Sequence, residues 1–146
     1  MWAEEALPDA STPLRSSTKA NDACLVNLVL ALACQYHDTT DRAGESDDGR
    51  RSGAIFFNNA RTLFRHNVAD GSDQNLQAIQ IMLLTAQYLN STGSPLKSWE
   101  VTGLAIRISH GLGLHRGATV RAKARADPVE GEMIKRVWHG CLMMER

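Results

Sequence analysis

The chain has 146 residues, 43% hydrophobic and 22% charged, with sixteen basic and sixteen acidic residues and a formal net charge of zero. That length suits one domain with a single core. The charge balance removes any global field that would draw in nucleic acid or an anionic membrane, leaving only local patches.

Residues 1–20 are rich in Ser, Thr and Pro and start acidic, which reads as a flexible linker and not as a secretory signal. The stretch ACLVNLVLALAC, at twelve residues, is too short to span a membrane. It predicts a helix capped at Asn21 or Asp22 and running to about His37, apolar nearly all round and therefore buried. DTTDRAGESDDGRRSG follows as a polar connector. A second helix is expected over about 54–69, with Phe56, Ala60, Leu63 and Phe64 on one face and Gly71 ending it. The third, about 73–91 with Ser72 or Asp73 as cap, carries Leu76, Ile79, Leu83 and Ala86 along a stripe that Met82, Leu84 and Tyr88 widen.

Ser94 and Pro95 start a fourth helix that runs to about Leu112, with Gly113 as its left-handed end. RGATVRAKARAD reads as a polar loop with four basic residues. Asp127 caps a fifth helix, with Pro128 in its first position and Glu130 closing a capping box. Its stripe is Met133 or Ile134, Val137, Trp138, Cys141 and Leu142. That stripe is still running at Arg146, which reads as a break inside a helix. Trp138, Cys141, Leu142 and Met144 are then expected on an exposed apolar surface. The fold class is all-α, with about five helices.

The chemistry of the stretch SWEVTGLAIRISHGLGLHRG is best reached by exclusion. Gly111 and Gly113 are followed by Arg116 where a dinucleotide fingerprint needs its third glycine, and the turn closes a helix C-terminus whose dipole repels anions. His110 and His115 straddle a helix end and match no zinc motif, and the three cysteines include no C-x-x-C. No nucleophile motif occurs, so no enzyme activity is expected. The structural reading places Trp99, Gly103 and Ile106 on one packed face. Arg107 either pairs with Glu130 or Glu132, or snorkels to water. His115 and Arg116 are placed to bond the last carbonyls of the fourth helix.

These residues resemble the middle regulatory region of fungal transcription factors, of the fungal-specific or xylanolytic-activator type. Trp99, Gly103, Ala105, Ile106, Arg107, Gly113, Leu114, His115 and Arg116 match its tryptophan-led helix through A-I-R to G-L-H-R. Glu132, Arg136, Val137 and Trp138 match the following E-x-x-x-R-x-W-W helix. His139 departs at the second tryptophan, and Glu145 stands where these proteins usually have the aspartate of a D-R pair. The resemblance implies that residues 21–146 are the N-terminal part of the regulatory domain of a nuclear zinc-cluster regulator of RNA polymerase II transcription. Its signature residues would then be structural, with no catalytic, cofactor or metal role. Zinc would belong only to an upstream six-cysteine cluster, and DNA contact would go through it. A homodimer partner, co-regulator proteins or a small-molecule inducer are the further partners implied. A helical protein-interaction or ligand-sensing module without a DNA-binding arm is the alternative.

Overall fold

The computed structural model describes residues 12–40, 46–69 and 76–146, with side chains for 19–36, 49–64 and 76–146. Among them the chain forms six helices and no strand: α1 (Thr12–Thr40), α2 (Ser46–Ala69), α3 (Leu76–Ser91), α4 (Pro95–Gly111), α5 (Gly117–Ala126) and α6 (Pro128–Glu145). The all-α expectation holds, with six helices in place of five. No helix among the described residues is long and apolar enough to cross a membrane.

α3 is the central helix, because its apolar positions cover more than one side. Ile79 and Met82 enter a core with Ala105, Leu114, Ile134, Val137 and Cys141 from α4, the following turn and α6. Ile81 turns the other way, to Cys24 and Leu28 of α1 and Ala60 of α2. Tyr88 carries that second side onward to Ala31 and Leu32, and its ring stacks on Phe57 at 4.2 Å between centroids. Burying each large aliphatic chain such as Leu28, Ile79, Ile81 or Ile134 contributes about 1.5–3 kcal/mol. Among the described residues, no buried side-chain polar atom lacks a hydrogen-bond partner.

Three expected boundaries differ. α1 starts at Thr12, so residues 12–20 are helical where a linker was expected. Asn21 and Asp22 are not caps: Asn21 is buried inside the helix, and Asp22 Oδ1 accepts from Gln77 Nε2 of α3 at 2.6 Å. α2 begins at Ser46, absorbing part of the polar connector. Packing against α1 overrides its weak propensity, with Gly53 seated against the Ala31 carbonyl. RGATVRAKARAD contains α5, since four of its residues are alanines and three more are Arg or Lys, all strong helix formers. Polarity was no evidence of a loop there. Residues 1–11, Gly71, Ser72 and Asp73 lie outside the described residues.

α1 is not buried all round. Val26, Val29, Leu30 and Tyr36 are exposed, because α2 and α3 cover only the opposite face.

Candidate regulatory surface around the glycine turn

α4 presents an unexpected face to its neighbours. The residues it buries are Ser98, Thr102, Ala105 and Ser109, at helical spacing and all small. Each hydroxyl is satisfied locally: Ser98 Oγ donates to the Ala86 carbonyl at 2.8 Å, Thr102 to Ser98 at 2.9 Å, and Ser109 to Ala105 at 2.8 Å. Small satisfied side chains let α4 lie close to α3 and α6 without an orphaned polar group. The signal was present as S-x3-T-x2-A-x3-S, but the larger apolar residues beside it drew the reading.

Of the expected packed face, Ile106 does pack against the core, but Trp99 and Gly103 do not. Trp99 is 70% exposed, and a side chain added at Gly103 would meet open space. Arg107 is exposed as well, so its internal pairing with Glu130 or Glu132 is overturned and the water-facing reading stands. Glu130 instead accepts from Lys123 Nζ at 3.1 Å, tying α6 to α5. It therefore does not close a capping box. Glu132 accepts from Arg136 Nε at 3.1 Å and lies 3.6 Å from Lys135. The Arg136 hydrogen bond, and then the Lys135 charge, hold the Glu132 carboxyl below its usual range. These pairs are exposed, and their contribution to stability is small.

The glycine turn forms as expected. Gly113 has φ 69°, its N–H donates to His110 O at 3.0 Å, and the Leu114 N–H reaches back to Ser109 O at 3.0 Å. That is a Schellman closure, which requires a left-handed residue at this point. The turn drops Leu114 into the core and throws His115 back beside the helix. His115 and Arg116 side chains do not bond the last α4 carbonyls. The His115 ring meets His110 edge-on at 4.8 Å, and both lie over the Trp138 indole, at 6.0 Å and 5.3 Å. Arg116 becomes the residue before α5 and makes no side-chain cap bond. Asp127 does cap α6, its carboxylate accepting from Val129 N–H at 2.8 Å, whereas Ser94 makes no side-chain cap for α4.

The structure thus joins His115 with Trp138 and Glu132 with Arg136, and leaves Trp99, Gly103 and Arg107 on open surface. Cys141 is fully buried, 3.6 Å from Ser109 Oγ, and Trp138, Leu142 and Met144 are only partly exposed. The expected exposed face on α6 is therefore corrected, because α3 and α4 cover it. No three His, Cys, Asp or Glu side chains cluster as metal ligands among the described residues. An apolar groove of about 390 Å³ lies between α1, α3 and α6, lined by Leu25, Val29, Leu83, Leu84, Met133 and Val137, with Gln80 and Arg136 also lining it.

Comparison with known proteins decides the family. The model of the fungal specific transcription factor domain matches residues 4–146. The chain belongs to this family. Relatives of this fungal transcription factor domain include the sorbicillinoid biosynthetic cluster transcription factor 2 of Penicillium rubens, 27% identical over 122 residues, which are 84% of this chain and 17% of that protein. The cutinase transcription factor 1 beta of Fusarium vanettenii is 29% identical over 91 residues, 62% of this chain and 10% of that protein. The activatory protein CHA4 of Saccharomyces cerevisiae is 24% identical over 139 residues, covering 84% of this chain and 20% of that protein. The chain thus spans between a tenth and a fifth of the length of these relatives. No solved structure matches it. The family and the names of its relatives are those of transcription regulators, not of enzymes.

Proposed function

We propose that this domain is the regulatory, non-base-reading part of a zinc-cluster transcription factor acting on RNA polymerase II transcription in the fungal nucleus. The observation that carries the reading is the family match over residues 4–146. Zinc and base recognition belong to a six-cysteine module elsewhere in the full protein. The signature residues are structural: His115 and Trp138 hold the end of α4 against α6, while Glu132 and Arg136 pair with each other along α6. A co-regulator, a second copy or an inducer acts on the surface this frame presents. No residue of the segment is assigned catalysis.

The test is a reporter assay with the full-length protein in its host, comparing wild type with Trp138→Ala and His115→Ala. The reading expects altered reporter response with unchanged DNA occupancy. Loss of occupancy equal to loss of response would remove the regulatory assignment. A ligand-sensing module without a DNA-binding arm is favoured by one observation, the groove between α1, α3 and α6. A full transcript lacking a six-cysteine cluster would select it.

A further inference from the structure

The net charge of zero hides a segregation along the chain. Residues 116–125 hold four basic side chains and no acid, whereas residues 38–48 hold five acids. The basic set is folded into α5, a helix that packs only on α6 and buries none of its own residues. Its inner side is Val120 and Ala124, the latter against Gly131. Its outer side is Ala118, Arg121, Ala122 and Arg125, at i, i+3, i+4 and i+7, all exposed.

The nearby acids are already engaged. Glu130 holds Lys123, and Asp127 holds the Val129 N–H. Among the described residues Arg116, Arg121 and Arg125 make no ion pair. Arg121 and Arg125 therefore stand on the outer side of α5, and Arg116 stands just before it beside the Gly113 turn, all three exposed and without an ion-pair partner among the described residues.

We propose that the outer face of α5, with Arg116, is a docking surface for the phosphate backbone of duplex DNA. Guanidinium forks match phosphate oxygens in charge and geometry. Beside the arginines the face offers nothing larger than a methyl group, so an acidic peptide that anchors through an apolar side chain finds no pocket. A lipid surface is disfavoured for the same reason, since α5 turns no apolar stripe outward. A phosphodiester backbone needs neither, and the small alanines let it approach closely. Such contacts position a protein on DNA without reading sequence, so the assignment adds a contact to a domain that reads no bases. It rests on the charge arrangement of α5 and not on the family.

The experiment is fluorescence anisotropy of a short labelled duplex of arbitrary sequence, titrated with the 146-residue chain at several salt concentrations. Three neutralised phosphates give a log–log salt slope of about −2.7, or roughly 40-fold weaker binding between about 50 and about 200 mM salt. The double variant Arg121→Gln/Arg125→Gln leaves one contact, and the slope flattens to about −0.9. Arg121→Lys/Arg125→Lys retains the wild-type slope. Lys19→Gln/Arg61→Gln, on α1 and α2, changes net charge equally and also retains it. Circular dichroism confirms that each variant is folded. Absence of binding at low salt, or equal flattening in the α1/α2 pair, would overturn the assignment. So would a polyglutamate peptide that binds through Arg121 and Arg125 more tightly than the duplex, which would give the face to an acidic protein.

Discussion

Two buried positions show how little slack single residues have here. A Cβ on Gly131 would lie 2.4 Å from Ala124 Cβ and 2.6 Å from Ala124 Cα, and the second of these is backbone. α5 must then move away from α6, so Gly131→Ala is expected to cost about 1–3 kcal/mol in urea unfolding. Ala124→Gly in the same chain recovers part of that loss, and the coupling in a double-mutant cycle measures the contact directly. Cys24 makes a different prediction. Its thiol is buried and donates to the Ala60 carbonyl at 3.3 Å, and burial pushes its pKa from 9.0 to about 11. Below 9 the thiol is protonated in both folded and unfolded chains, and its contribution is constant. Between 9 and 11 the unfolded chain releases the proton while the folded chain keeps it, so stability falls as pH rises. The fall is about 2 kcal/mol across that window. Burial raises the Cys141 thiol as well, in the same direction. Unfolding midpoints at about pH 8 and about pH 10.5 should therefore separate, and Cys24→Ala should narrow the gap.

At the scale of elements, the N-terminus of α6 rests on one side chain. Asp127 supplies the acceptor for Val129 N–H, with Pro128 pre-set in the first turn. Asp127→Ala is expected to lower stability by about 1 kcal/mol, and Asp127→Asn to retain most of it, both read from thermal unfolding. This start was legible because a cap is a local event written in two adjacent residues, and the Gly113 turn was legible for the same reason. Ile134, Val137 and Cys141 were legible from spacing alone. What was not legible depends on neighbours. The same capping logic fails at Asn21 and Asp22, since Asn21 is buried inside α1 and Asp22 makes the contact to α3. Glu130 had Lys123 within reach only because α5 folded. Internal pairing of Arg107 is suggested by its place directly after the Trp99, Gly103 and Ile106 face, but a helix turns successive residues about 100° apart, and of the two readings the water-facing one holds. The two rings over Trp138 could not be foreseen either, since only the closed turn brings His110 and His115 to one indole.

Among the described residues, α1 carries one contiguous share of the exposed apolar surface. Between Asp22 and His37 the sequence has no charged residue, and α2 and α3 cover only the face holding Cys24, Leu28, Ala31 and Leu32. Val26 is 58% exposed, Val29 55%, and Leu30 and Tyr36 extend the same surface. Val29 also lines the groove that reaches Leu83 and Val137, so the surface is continuous with a concave apolar site. Contiguous exposure of this kind drives association in water, because the hydrophobic effect is indifferent to what supplies the covering surface. The chain is therefore expected to self-associate, with its sedimentation coefficient rising with concentration. Val29→Glu/Leu30→Glu places two like charges on that face without touching the buried side of α1. The variant should sediment as a monomer at concentrations where the wild-type chain does not, with its unfolding midpoint little changed. A wild-type chain that stays monomeric at high concentration would show that this face does not drive association in isolation.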